Sequence, residues 1–239
     1  MKQIMTVPDI MAELKSKGSE PIKKILLRHG VKEPFFGVKV EYLKVIQKKI
    51  KKDYQLAKDL YSTGNADAMY LAGLIADESK MTKEDLSVWV DQALSDNINE
   101  YTVPWIAAES RFGYELAMEW IDNKNESIAV AGWATLGSLV AIRPDTELNI
   151  PSLKSLLKRV ERTIHSSDNR VRSAMNNFVI ALGSYVLPLT EEAIAAAKRI
   201  GAVTVVKEGT ACKVPDAVEY ILKKNDKGAL GKKKKMARC

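Results

Sequence analysis

Histidine and cysteine are scarce in this chain, two of each among 239 residues, and that scarcity removes several chemistries at the outset. His29 and His165 stand far apart and no CxxC or HExxH spacing occurs, so no metal site is indicated. Cys212 and Cys239 are read as reduced thiols, because a cysteine at the last position of a chain this long is a poor anchor for a structural bridge. The phosphate-cradling GxxxxGK[ST] and GxGxxG loops and the GxSxG of serine nucleophiles are missing too, and no small-molecule cofactor is expected. Long apolar runs are absent: no stretch of about 18 uncharged apolar residues exists, and Asp9, Glu13 and lysines interrupt the N-terminal segment. The expectation is a chain without a membrane span or signal peptide.

What is present begins with charge. The formal net charge is +7, yet residues 223–239 hold eight basic residues and one acid, so the whole excess lies in the C-terminal segment and the body balances at 29 against 29. The body is itself polarised, with 14 basic and 7 acidic residues over 1–59 but 4 basic and 13 acidic over 60–130. A pI of about 9.2 therefore argues for nucleic-acid binding less than it first suggests.

Helical spacing runs through nearly all of the chain. Val40, Leu43, Ile46 and Ile50 fall on one face of VEYLKVIQKKI, with Lys44, Lys48, Lys49 and Lys51 elsewhere around it. Thr82 with Asp85, and Thr190 with Glu191 and Glu192, read as helix starts, whereas Gly30, Gly64 and Gly201 read as helix ends. From about residue 65, apolar helices rich in small residues alternate with more polar amphipathic ones. The first kind comprises NADAMYLAGLIAD, TVPWIAAESRFG, ESIAVAGWATLGSLVAI and NRVRSAMNNFVIALGSYV; the second, LSVWVDQALSD, YELAMEWIDN, PSLKSLLKRVERTIHS and TEEAIAAAKRI. Several of the apolar helices start at Asn65, Asn125 and Asn169; the first two are 60 residues apart with one further apolar helix between them and the last two 44, so each pair takes roughly 30 to 45 residues, which matches two-helix solenoid repeats. The fold class expected is all-α, a HEAT-like solenoid of antiparallel helix pairs forming one domain over residues 1–228, with a basic, mobile tail over 229–239. The β-branched stretch 202–216 around Glu208-Gly209, with Pro215, reads as a short hairpin or extended loop.

The segments FFGVKVEYLKVIQKKI, NRVRSAMNNFVIALGSYV, GTACKVPDAVEYI and KKKKMARC, together with the alternating helix pairs, resemble the DNA alkylation repair family, whose prototype is alkylpurine DNA glycosylase D. The resemblance covers nearly the whole chain and is closest to a divergent branch. It implies a solenoid whose concave, partly basic face cradles duplex DNA, and hydrolysis of the glycosidic bond of cationic alkylated purines. In the family's catalytic members a tryptophan and an aspartate four residues later share one inner helix, with an arginine and a second tryptophan on following inner helices. Trp105 and Glu109 keep the first spacing, with glutamate for aspartate, and a carboxylate there would stabilise an oxocarbenium-like transition state. The arginine position falls near Ala131 or Gly132 and the second tryptophan near Asn177, so both side chains are missing; Trp133 is the remaining candidate for an aromatic wall.

Other residues admit two readings each. Arg170 and Arg172 at an inner-helix start meet a phosphate, or pair with acids of a neighbouring repeat. Asn176 and Asn177 face a polar cleft, or bond across inner helices. Lys232, Lys233, Lys234 and Lys235 contact DNA phosphates, or are solvated. Three functions follow: a DNA-binding protein recognising duplex shape or distortion with glycosylase chemistry weak or lost, an active glycosylase for N-alkylated purines, and a protein-binding scaffold. The partner expected is double-stranded or distorted DNA, bound by a monomer in the cytoplasm, at the nucleoid.

Overall fold

The computed structural model describes residues 5–93, 95–206 and 214–238. Thirteen α-helices occur among them: α1 Val7–Lys17, α2 Glu20–Arg28, α3 Val40–Ile50, α4 Tyr54–Tyr61, α5 Ala66–Ile75, α6 Lys83–Gln92, α7 Val103–Glu109, α8 Gly113–Trp120, α9 Glu126–Ile142, α10 Ile150–Thr163, α11 Asn169–Tyr185, α12 Thr190–Ile200 and α13 Ala217–Asp226. No strand occurs among the described residues, and the architecture is the expected all-helical one. Residues 202–206 and 214–216 are irregular; the turn of the expected hairpin, at Glu208-Gly209, and both cysteines lie outside the described residues.

Helix starts follow local chemistry. Thr82 and Asp85 close a reciprocal capping box on α6, and Thr6 with Asp9 does the same on α1. Asn65 accepts from the amides of Asp67 and Ala68 and caps α5; Asn125 accepts from Ser127 and caps α9. Asn169 differs, because its amide leaves the helix end to bond both backbone groups of Val206, at 2.6 and 2.8 Å, fixing the segment after α12. Thr190 differs as well: it opens α12, but its hydroxyl donates to the Gly183 carbonyl rather than capping its own helix. Gly30, Gly64 and Gly201 all have positive φ, as a helix end requires. At Gly30 glycine is demanded twice, since φ is 78° and a β-carbon would sit 1.8 Å from the Asp96 carboxylate.

Packing arranges the helices in two rows. The inner row is α5, α7, α9 and α11, with α9 packed against both α7 and α11; α4 covers α5, α8 covers α9, and α12 covers α11. The apolar core divides into a first-half cluster and a second-half cluster that meet at α9, which gives Ile128, Ala131 and Leu139 to one and Trp133, Leu136 and Val140 to the other. That explains why α9 is apolar on every side. The polar helices are joined instead by ion pairs: Lys83 with Glu115 and Glu119, Arg159 with Asp122, and Arg199 with Glu161. Three of the thirteen acids of residues 60–130, Glu115, Glu119 and Asp122, are engaged there.

Ahead of α7, Ile98–Thr102 is wound as a π-helix, with Val103 N–H donating to the Ile98 carbonyl. Pro104 supplies a cause, because it has no N–H to give to the carbonyl four residues back.

Residues 229–238 are not a mobile tail. They run back over the C-terminal ends of the inner helices in reverse order. Gly231 N–H donates to Ser184 of α11, Lys234 N–H to Ala141 of α9 at 2.8 Å, and the Lys233 ammonium to Val140. Ala237 N–H then donates to Glu109 of α7 at 2.7 Å, and Arg238 reaches the carbonyls of Gly73, Leu74 and Ala76 at and beyond the end of α5. The physical reason is that the last carbonyls of a helix lack intrahelical donors and form its negative pole, so a basic segment binds there.

Candidate nucleic-acid interface

Trp105 and Glu109 both lie on α7, as their spacing predicts, but in different surroundings. Trp105 is 5% exposed and packs edge-on to Tyr70 of α5, with ring centroids 5.6 Å apart, and tilted to Tyr101 of the π-helical stretch at 5.8 Å. Tyr101 itself is 49% exposed, so the three aromatics form a patch across adjacent inner elements whose outer member meets solvent.

Glu109 meets the C-terminal segment rather than open space. One carboxylate oxygen accepts from the Ala237 and Arg238 amides, and the other from Arg238 Nε at 3.1 Å and Nη2 at 2.5 Å. The same guanidinium bonds Glu78, also at 2.5 Å. Burial opposes the charge on Arg238, but Glu109 and Glu78 outweigh it and hold the guanidinium above its ordinary range. Burial likewise opposes the charge on Glu78, yet Lys52 and Arg238 keep this carboxyl below the usual carboxylate range.

Trp133 is not beside this site. It is fully buried, tilted against Phe178 of α11, with Arg159 of α10 over its ring at 5.6 Å, so it cannot serve as an aromatic wall. Gly132 faces away as well, against the backbone of Trp120 and Ile121. Neither position reaches the groove, because α9 is packed on all sides.

The α11 residues divide. Arg170 pairs with Asp96 at 2.5 Å and with Glu100, and its amide donates to Glu126. Burial and the neighbouring Glu100 hold Asp96 above the usual carboxylate range although Arg170 pulls the other way. Arg172 is spent on the carbonyls of Ser167 and Thr204. Asn176 is buried and donates to the Pro215 carbonyl at 2.9 Å, holding the start of the last helix, whereas its neighbour Asn177 is exposed. Of the four tail lysines, Lys233 pairs with Asp145 at 2.7 Å and Lys234 lies 5.9 Å from the ring centre of Tyr185; Lys232 and Lys235 are exposed.

Between the end of α3, the end of α9 and the C-terminal segment lies a cavity of about 770 Å³, with Glu109 and Arg238 in its wall and Lys48, Lys51 and Lys235 at its rim. Sequence reasoning named Lys235 but neither Lys48 nor Lys51, which there were only the polar face of α3. It also missed Tyr70, Tyr101 and Arg238. The exposed aromatic Tyr101, four residues before Trp105, was a usable signal; the partners of Arg238, 129 and 160 residues away, were not. No group of three or more His, Cys, Asp or Glu side chains able to hold a metal occurs among the described residues.

Stacked helix pairs with a continuous inner row and a charged groove at the inner-helix ends define a HEAT-like helical-repeat protein. The chain belongs to the family described as DNA alkylation repair enzyme, which matches residues 10–221. It is 31% identical over 226 residues to the uncharacterized proteins Lin0241 of Listeria innocua and Lmo0209 of Listeria monocytogenes, each alignment covering 92% of this chain and 97% of the relative. It also resembles a solved structure from a new family of proteins related to the HEAT-like repeat DNA glycosylases with affinity for branched DNA structures. That similarity has a TM-score of 0.91 and 38% identity, over 98% of this chain and 100% of the other.

Proposed function

We propose that this protein binds branched or distorted duplex DNA through its shape and charge, without excising bases. The observation that carries the reading is the occupation of Glu109. A carboxylate that stabilises a cationic sugar must present an oxygen to it, and both oxygens of Glu109 are taken by the amides and guanidinium of Ala237 and Arg238. The arginine and the second tryptophan of the family's catalytic members have no counterpart on the inner face, where Gly132 packs outward and Asn177 replaces an aromatic ring. The affinity for branched DNA of the similar solved protein supports the choice of ligand. Binding of this kind is carried by phosphate contacts and is steeply salt-dependent.

The test combines base release and binding. An N-methylpurine duplex incubated with excess protein at low salt is expected to keep its bases, while a labelled four-way junction is bound more tightly than a linear duplex of equal length. Base release that disappears in a Glu109→Gln variant would instead make the protein a glycosylase. Failure to bind either DNA at low salt would remove the DNA reading and leave a protein-binding scaffold, for which HEAT-like surfaces are well suited.

A further inference from the structure

A second cavity, of about 480 Å³, opens between the first turn of α8, the second half of α9 and the start of α10. It shares only Arg143 and Glu147 with the cavity beside Glu109. Its lining is mainly aliphatic: Leu136, Leu139, Val140 and Leu153 are buried, and Leu148, on the loop before α10, is half-buried. The Tyr114 hydroxyl lies 2.5 Å from that of Ser152 and ties α8 to α10 at one edge. An apolar space of this size with a few polar groups at its margin has the dimensions and the lining of a small-molecule site.

The polar groups are not equivalent. Arg143 donates to the Ser110 carbonyl at 3.3 Å and pairs with Glu147 at 3.6 Å, so its charge is answered. Arg111 is exposed and has no acid partner among the described residues. Its guanidinium lies over the Phe112 ring, 4.6 Å from the centre, which holds it by its face and leaves its N–H edges free. Next to it α8 begins at Gly113 without a side-chain cap, whereas Asn149 caps α10 on the facing wall. The wall that carries Arg111 is therefore the positive one.

We propose that this cavity binds a small molecule with an aliphatic body and a terminal carboxylate, the body lying along the leucines and the carboxylate meeting Arg111 at the start of α8. Burial of the aliphatic body supplies the affinity and the guanidinium fixes the orientation. The planar fork of one arginine matches the two oxygens of a carboxylate. One negative charge also balances the one cation left unanswered, whereas a doubly charged head group would be held less well, with Glu147 on the same rim. The site is independent of DNA binding, because neither Arg111 nor the leucines border the groove beside Glu109.

The experiment titrates the full-length protein with sodium octanoate, below the concentration at which it forms micelles, and with octan-1-ol and octyl phosphate beside it. Carbon-13 methyl spectra report where each probe sits, and the melting temperature reports whether it binds the folded state. Octanoate is expected to shift the methyl signals of Leu136, Leu139, Val140, Leu148 and Leu153 with one common dissociation constant, to raise the melting temperature, and to bind about tenfold more tightly than octan-1-ol. Arg111→Gln, an exposed position, should remove most of that tenfold preference, while Arg162→Gln on the outer face of α10 leaves it unchanged. Leu148→Trp fills the cavity and should abolish binding. Should that variant fail to fold, the wild-type methyl spectra still decide, since shifts spread over leucines throughout the molecule, or no shift at all, overturn the proposal. A preference for octanoate that survives Arg111→Gln, or octyl phosphate binding at least as tightly as octanoate, overturns the assignment of a carboxylate to Arg111.

Discussion

Arg238 places a charge in a nearly dry corner of the molecule and gives all three guanidinium nitrogens a partner. Its side chain is 5% exposed, Glu109 is 11% and Glu78 is 19%. Removing one partner from such a cluster leaves the others desolvated and uncompensated, which costs more than the pair contributes. Arg238→Ala is therefore expected to lower the unfolding free energy at pH 7 by on the order of 3 kcal/mol, measured by urea titration. Lysine would not rescue it, since one ammonium cannot span two carboxylates and three carbonyls. The pH dependence has a defined sign. The Glu78 carboxyl is held below its usual range, so its contribution is complete above the unfolded value of about 4.3 and is lost as pH falls through the lower folded one. The difference between wild type and Arg238→Ala should accordingly shrink between pH 5 and pH 3; a difference that stays constant would detach Glu78 from the interaction. None of this was legible in the sequence, where KKKKMARC has the composition of a solvated tail and only folding brings its acids to it.

Helices and their order were legible because their signals are local. Capping residues, glycine ends and apolar periodicity each act within a few positions, and those around α3, α5, α6 and α9 appear in the structure where the sequence placed them. What periodicity could not give is which side of an all-apolar helix faces which neighbour. Trp133 looked like a cleft residue because it follows the position where the family carries arginine, yet α9 turns it into the core against Phe178. Its neighbour Gly132 shows how firmly that rotation is set. A β-carbon there would lie 2.6 Å from the Ile121 amide nitrogen and 3.0 Å from the Trp120 carbonyl carbon, both backbone atoms that cannot swing aside. Gly132→Ala should separate α8 from α9 and cost about 1–3 kcal/mol despite alanine's better helix propensity. Circular dichroism melts and urea unfolding measure it. A variant at least as stable as the wild type would mean that α8 shifts freely and that the α8–α9 contact does not fix the orientation of α9.

A stack of helix pairs normally has only neighbour-to-neighbour contacts, so its ends can open independently. In this molecule the C-terminal segment crosses the stack, touching α11, α9 and α7 and then the end of α5, and so joins the second-half core to the first by a path that does not pass through α9. Its basic residues and backbone amides answer the carbonyl ends of successive inner helices, which is why one short polar segment fits helices far apart in sequence. Deleting residues 229–239 removes the Arg238 cluster and the amide bonds from Gly231, Lys234 and Ala237 together. The loss should reach about 3–5 kcal/mol, a large part of the 5–15 kcal/mol typical of a domain. It should also change the shape of unfolding, because the halves would then be coupled without the segment, through α9 and the ion pairs of Arg170 with Asp96 and Glu100. Amide exchange is the sensitive readout: in the truncated protein the C-terminal ends of α5 and α11 should lose protection first, while the middle of α9 keeps most of its own. A uniform loss across all helices would show that α9 and those ion pairs keep the two cores cooperative without the segment. Unchanged protection at α5 would show that the segment does not tie the first half to the second.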